Sequence, residues 1–190
     1  MTRTLALALL VTWMAYAWRG GALLAREIAQ ARRDGRWGVA LAIVAGVAAN
    51  LLNLAYTLAY DALGLPELSL GLPARARVAG LCLAIPALAW IVWSRTSLGE
   101  AWSSGIDRVG ALCTRGPYRV VRHPIYAGAV AFYGGLLLAQ SNVPGMLAYG
   151  GHIGGFVAKT AIEDRILRSR ADDYRRYAAR TPWRLIPRVW

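Results

Sequence analysis

The chain has 190 residues, of which 57% are hydrophobic and 17% are charged, and its formal net charge at pH 7 is +12. This composition is too apolar for a typical soluble domain and indicates an integral membrane protein with several spans. The basic residues stand in clusters between long apolar runs, which argues against a nucleic-acid-binding protein. The two cysteines, Cys82 and Cys113, predict neither a disulfide framework nor a metal site.

Three apolar runs precede residue 96. The first, Leu5–Trp18, predicts a short span and is followed by a charged connector. The second, Trp37–Tyr60, is longer than the roughly 20 residues that one crossing of the hydrocarbon core needs. The third, Ala76–Trp93, contains Pro86, which predicts a kink. We therefore expect three N-terminal spans within residues 1–95.

The next apolar stretch, residues 125–158, contains no charged side chain. It is too long for one span and predicts two spans of roughly 17 residues each, folded as a hairpin. The turn is expected at Gln140–Gly145, where Ser, Asn, Pro and Gly stand together. We expect the last helix to continue past Lys159 as an amphipathic cytosolic helix to about Arg180. The predicted fold is therefore all-α, a single membrane domain over residues 1–190 with about five transmembrane helices.

The distribution of basic residues predicts which side of the membrane each loop faces. The connector after the first span, the loop after the third and the C-terminal tail hold all but three of the 22 basic residues. The three exceptions are Arg3, Arg75 and Arg77. Because Lys and Arg concentrate in cytoplasmic loops, we expect the N-terminus outside and the loop and tail in the cytosol. Two polar segments on one face can build one site, so residues 96–190 form the expected functional half.

Several polar residues fall inside the predicted spans. Asn50 and Asn53 are expected to hydrogen-bond across a helix interface. For His152 two interpretations are open: a hydrogen bond between helices, which is the more frequent case, or an approach to a substrate channel. His152, Glu163 and Tyr174 are spaced by eleven residues and are predicted to share one stripe of the last helix. Small-residue spacing predicts close helix packing around His152, at Gly150, Gly151, Gly154 and Gly155.

The densest polar segment next to a span is Gly116–Tyr126, which contains two prolines and one of the two histidines. Arg115, Arg119 and Arg122 add three positive charges. Such a cluster is costly to place beside a membrane and is more often functional than incidental. The alternative is that the arginines only anchor the interface.

These residues carry a family resemblance. Gly116-Pro-Tyr-Arg119, Arg122-His-Pro-Ile-Tyr-Ala-Gly128, the acidic pair Glu163-Asp164, Tyr174-Arg-Arg-Tyr177 and Ile186-Pro187 follow in fixed order. The set resembles the isoprenylcysteine carboxyl methyltransferase and phospholipid methyltransferase superfamily, over roughly Leu98 to Pro187. The family pattern usually has two glutamates, so Asp164 is a departure that keeps the charge and shortens the side chain by one methylene.

The resemblance implies a methyltransferase that uses S-adenosyl-L-methionine, releases S-adenosyl-L-homocysteine and needs no metal. It implies catalytic roles for Arg180, Glu163 and Tyr126. It also implies a set of residues that contact the cofactor: Leu112, Cys113, Thr114, Gly116, Tyr118, Arg122, His123, Pro124, Tyr126, Glu163 and Asp164.

The chemistry of this cofactor fits these residue types. Arg122 and His123 could bind its carboxylate, and Glu163 and Asp164 its ammonium. The third group, which could form the walls around adenine, consists of Tyr118, Tyr126 and Leu112. The alternative for the two acids is ion pairing on the helix surface, with Lys159 four residues before Glu163 and Arg168 four after Asp164.

The methyl acceptor is left open between two classes. A carboxylate acceptor would need a nearby cation, for which the resemblance offers Arg180. An amine acceptor such as phosphatidylethanolamine would need an acid that acts as base. A lipid-borne acceptor is expected in both cases, with carboxyl O-methylation of an isoprenylcysteine-like carboxylate ahead of phospholipid N-methylation. A non-catalytic or sterol-reductase-like relative is the alternative outside the methyltransferases.

Overall fold

A computed structural model describes residues 37–63, 68–99 and 112–190, with short pieces at 5, 8–12, 25, 28–29 and 32–33. Within these residues the chain is helical and has no strand, so the predicted all-α class is confirmed for the described part. The elements are α1 (Trp37–Leu63), α2 (Ala74–Leu98), a 3-10 helix (Gly116–Arg119), α3 (Pro124–Gln140), α4 (Val143–Arg170) and α5 (Asp172–Arg180).

The helix α2 is the one helix in the described ranges that is both long and apolar enough to cross a membrane. Val44–Tyr60 within α1 and Pro124–Gln140 are apolar but shorter. The first predicted span, Leu5–Trp18, lies largely outside the described residues. One apolar helix supports membrane association, whereas the five spans and their orientation stay predictions.

The predicted hairpin turn between the last two apolar helices is confirmed. The helix α3 ends at Gln140, and Ser141 turns the chain with a left-handed φ of 53°. Asn142 then caps α4, because its side-chain oxygen accepts a hydrogen bond from the Gly145 backbone N–H at 2.7 Å. Asparagine is a preferred N-cap residue, so local chemistry fixes this turn.

The predicted continuation of the last helix to Arg180 is wrong. The helix α4 ends at Arg170, and Ala171 adopts extended angles of φ −140° and ψ 119° before α5 begins. Asp172 and Asp173 occupy the first turn of α5, where negative charge is favourable. As a result Tyr174 turns back towards α4 and does not share one helical stripe with Glu163.

Helices α2 and α3 pack with their backbones in close approach at two glycines. A Cβ placed on Gly80 would lie 2.5 Å from the carbonyl oxygen of Gly135. A Cβ on Gly135 would lie 2.6 Å from the carbonyl oxygen of Gly80 and 2.7 Å from the backbone nitrogen of Ala84. Small residues allow this approach, which is a common way to associate helices in membranes.

The close packing predicted at the four glycines near His152 is not found among the described residues. A Cβ on any of these glycines would meet no described atom within 4 Å, and all are exposed: Gly150, Gly151, Gly154 and Gly155. Among the described helices, the close approach of backbones at glycine lies between α2 and α3.

We expect Gly135→Ala to destabilise the protein by about 1–3 kcal/mol, because backbone atoms of α2 would have to move to admit a methyl group. The control is its neighbour Gly134, where a Cβ would meet nothing within 4 Å. Gly134→Ala should leave stability unchanged or raise it by up to about 1 kcal/mol, because alanine favours helix. Thermal unfolding in detergent measures both variants, and equal midpoints would contradict the close approach.

The polar residues of the apolar helices α1, α3 and α4 form bonds between helices, as predicted for Asn50 and Asn53. Asn53 Nδ2 donates to Gln140 Oε1 at 3.0 Å and to the Tyr149 hydroxyl at 2.8 Å. His152 Nε2 lies 2.6 Å from Asn50 Nδ2 on α1. The interhelical hydrogen bond predicted for His152 is therefore confirmed.

Candidate functional site

The segment that leads from α2 to the site is anchored at the end of α2. Arg115 Nε donates to the Ser97 carbonyl oxygen at 3.2 Å, and Cys113 Sγ lies 3.4 Å from the same oxygen. Gly116 has a φ of +57°, and a Cβ there would lie 2.7 Å from Ser97 Oγ. Only glycine fits this turn without strain, so Gly116 serves the shape of the loop.

The next residues of the loop pair with a distant part of the chain. The backbone N–H of Arg122 donates to the Trp183 carbonyl oxygen at 2.9 Å, and that of His123 donates to the Arg184 carbonyl oxygen at 3.0 Å. Pro124 then begins α3. The first N–H groups of a helix have no partner within the helix, so the missing N–H of proline costs no hydrogen bond there. The two halves of the sequence motif are thereby held side by side.

Asp164 is the centre of a buried polar cluster, which we call the Asp164 cluster. Its side chain has an exposed fraction of 0%. Arg122 donates to it from Nε at 2.8 Å and from Nη2 at 3.2 Å. Three further groups donate to its oxygens: the Tyr174 hydroxyl at 2.8 Å, Arg184 Nε at 3.0 Å and Arg168 Nε at 3.1 Å. The predicted pairing of Asp164 with Arg168 is present, as one member of this cluster.

Arg122 is equally enclosed. Its side chain is 1% exposed, and Nη1 donates to the carbonyl oxygens of Thr181 at 2.8 Å and Pro182 at 2.6 Å. Burial alone would raise the pKa of Asp164, but hydrogen bonds from His123, Arg122 and the other donors lower it well below its usual range. Asp164 is therefore a carboxylate whose hydrogen-bonding capacity is used within the protein.

His123 joins the Asp164 cluster to an aromatic surface. Its Nε2 lies 3.3 Å from the Tyr174 hydroxyl and 3.7 Å from Asp164 Oδ1. Its ring stacks on Tyr126 with centroids 5.8 Å apart and planes at 6°. Tyr126 in turn contacts Phe156 on α4 at 5.6 Å between centroids.

Two charged side chains of α4 lie beside this aromatic surface. Lys159 Nζ lies 5.4 Å from the centroid of the Tyr126 ring. Glu163 follows one turn later on the same face of α4, since residues four apart are neighbours on a helix surface. Its Oε2 is buried and has no hydrogen-bond partner among the residues that the structure describes. An unsatisfied buried carboxylate oxygen is costly, so a hydrogen-bond donor at this position would stabilise it.

The structure brings Glu163 near the loop that precedes α3. Tyr118 is buried, and its pKa is raised by that burial and by the nearby groups of Cys113, Tyr177 and Glu163. The Tyr177 hydroxyl donates to the Tyr118 carbonyl oxygen at 2.6 Å, which fixes the 3-10 helix against α5. The predicted neighbours from the two half-motifs thus face each other.

The remaining predicted site residues are more exposed than the Asp164 cluster. Leu112 and Thr114 are exposed, Cys113 and Gly116 are half-buried, and Arg180 is exposed in the last turn of α5. Their contacts with a ligand stay predictions.

Sequence reasoning missed two members of the Asp164 cluster, Tyr174 and Arg184. Tyr174 belongs to the Tyr-x-x-Tyr piece of the motif, and Arg184 lies just before Ile186-Pro187. Their positions in or beside the motif are the sequence feature that could have identified them. The sequence spacing identifies Lys159 only as a possible partner of Glu163. The feature that distinguishes Lys159 in the sequence is that it is the one lysine among 22 basic residues.

Comparison with known proteins places this site in a family. Residues 76–170 match the family model described as phospholipid methyltransferase. The match covers half of the chain. It begins at residue 76, two residues inside α2, and includes the loop with its candidate residues, α3 and α4. No curated protein matches the chain.

Proposed function

Because this chain belongs to the phospholipid methyltransferase family, we propose that it transfers a methyl group from S-adenosylmethionine to an acceptor carried by a membrane lipid. The membrane-methyltransferase class follows from the family and agrees with the apolar helix α2. The observation that carries the cofactor proposal is the buried Oε2 of Glu163, which has no partner within the described part of the chain.

The residues around Glu163 fit this cofactor. An ammonium group would supply the N–H donor and the positive charge that Glu163 Oε2 lacks. His123 offers a ring nitrogen to the carboxylate, and the rings of Tyr118 and Tyr126 offer apolar walls. When bound, S-adenosylmethionine supplies an electrophilic methyl group on a positively charged sulfur.

We assign Arg122 and Asp164 a positioning role in place of the predicted direct contacts. Arg122 already makes four hydrogen bonds with Asp164, Thr181 and Pro182, and guanidinium has five N–H groups. Asp164 holds Tyr174, whose hydroxyl lies beside His123. The pair therefore keeps the His123 ring in place while Glu163 and His123 face the ligand.

The available groups favour a carboxylate acceptor. An amine must lose a proton before it accepts a methyl group, and it needs a basic group at the site. Asp164 is saturated by its donors, and Glu163 is assigned to the cofactor ammonium. A carboxylate acceptor needs no proton removed and is attracted by the cations Lys159 and Arg180. We therefore propose carboxyl O-methylation of an isoprenylcysteine-like or other lipid-borne carboxylate.

Phospholipid N-methylation is the second candidate, and the description of the matching family favours it. In that case Glu163 would have to serve as the base that takes the proton of a phosphatidylethanolamine-type amine.

One labelling experiment separates the two acceptors. Membranes that contain the protein are incubated with methyl-labelled S-adenosylmethionine, and the lipid extract is treated with mild base. Methyl esters hydrolyse and release volatile methanol, whereas N-methyl groups stay on the lipid. We expect the lipid extract to carry label that mild base removes. Membranes without the protein should not acquire this label. Base-stable headgroup label would establish the second candidate. No transfer, together with no calorimetric binding of S-adenosylhomocysteine, would overturn the methyltransferase proposal.

A further inference from the structure

Lys159 lies over the ring of Tyr126, and an aromatic face attracts positive charge. It is the one lysine in a chain with 22 basic residues. Its Nζ lies 5.4 Å from the centroid of the Tyr126 ring, which is within the range of a cation–π interaction. Lysine carries a compact point charge on a flexible stem, so this charge can move while the backbone of α4 stays in place.

The ring of Tyr126 is held firmly by its neighbours. It stacks on His123 at an interplanar angle of 6° and contacts Phe156 at 5.6 Å. His123 is itself bound through Tyr174 to the Asp164 cluster. The face of Tyr126 is thus a preformed surface for a cation, and Lys159 occupies it in the structure.

Resting on the proposed function, we propose that Lys159 is a mobile cation that leaves Tyr126 when a sulfonium cofactor enters and then binds the anionic group of the acceptor. Glu163, one turn away on α4, would hold the cofactor ammonium, and a short carbon chain joins that group to the charged sulfur. Two positive charges on one ring face repel each other. Moving Lys159 onto an acceptor anion relieves this repulsion and places the anion beside the methyl group.

This arrangement predicts that the residue at position 159 affects the binding of two ligands of the same site differently. S-adenosylmethionine carries the positive sulfur, and S-adenosylhomocysteine carries a neutral thioether of nearly the same shape. Only the charged ligand competes with Lys159 for Tyr126. An uncharged residue at position 159 should therefore tighten the binding of S-adenosylmethionine and leave that of S-adenosylhomocysteine nearly unchanged.

The test is calorimetric titration of both ligands into detergent-purified wild-type protein and the variant Lys159→Gln. We expect the ratio of the two dissociation constants, charged over neutral ligand, to fall by about 3- to 10-fold in the variant. Lys159→Arg should keep the wild-type ratio, because it keeps a cation at this position. Arg165→Gln is the matched control, since it removes one charge from the exposed face of the same helix.

The outcomes are distinguishable. An unchanged ratio in Lys159→Gln, with normal binding of S-adenosylhomocysteine, would overturn the role of Lys159 and leave the proposed function standing. An equal fall in the affinity of both ligands would also overturn it, because a purely structural role of Lys159 gives that result. Absence of binding to folded wild-type protein would overturn this inference together with the proposed function.

Discussion

Replacing Asp164 with asparagine should destabilise the folded protein by about 3–5 kcal/mol, because the guanidinium of Arg122 would stay buried without a counter-charge. The amide of asparagine also cannot accept all the hydrogen bonds that Arg122, Tyr174 and Arg184 now donate. We expect the midpoint of thermal unfolding in detergent to fall by on the order of 10 °C.

The matched control is Asp173→Asn on α5. Asp173 is exposed and pairs with Arg176 one turn later. Exposed pairs of this kind contribute little, so the control should change stability by less than about 0.5 kcal/mol. Similar small shifts in both variants would show that the Asp164 cluster contributes no more than a surface ion pair.

The pH dependence of stability follows from the same cluster. The pKa of Asp164 is lower in the folded protein than its ordinary value of about 3.9. Its contribution is therefore fully present above about pH 4 and is lost as the pH falls below that value. The unfolding midpoint of wild type should drop in this range, and Asp164→Asn should lack this component.

Glu163→Gln should weaken the binding of S-adenosylhomocysteine by about 30-fold or more, because it removes one partner of a buried charge pair. Glutamine keeps the size of the side chain, so the fold should not change. Calorimetric titration measures the affinity, and Asp173→Asn again serves as a control for the loss of one acidic charge. Wild-type affinity in a folded Glu163→Gln protein would contradict the proposed contact with the cofactor ammonium.

Features with local causes could be predicted from the sequence. The turn between α3 and α4 follows from Asn142, Pro144 and Gly145, whose side chains and backbone preferences act over a few residues. The bonds of the Asn50 and Asn53 Nδ2 groups follow from the cost of leaving an N–H donor unsatisfied among apolar side chains.

Features with long-range causes could not be predicted. The break at Ala171 contains neither glycine nor proline, and α5 is held by the bonds of Tyr174 to Asp164 and of Tyr177 to the Tyr118 carbonyl. The sequence likewise identified Arg122 and Asp164 as important but could not show that they bond to each other. Whether two charged residues pair or face a ligand depends on their burial, which only the packed structure reveals.

The pairing of Arg122 with Thr181 and Pro182 has a consequence for biosynthesis. While residues 181 and 182 are still inside the ribosome, the Arg122 guanidinium lacks these two carbonyl partners. The backbone N–H groups of Arg122 and His123 likewise lack their bonds to the carbonyl oxygens of Trp183 and Arg184. The Asp164 cluster and the loop around His123 therefore take their final form only after residues 181–184 have left the ribosome, so the end of the chain decides when this part of the fold closes.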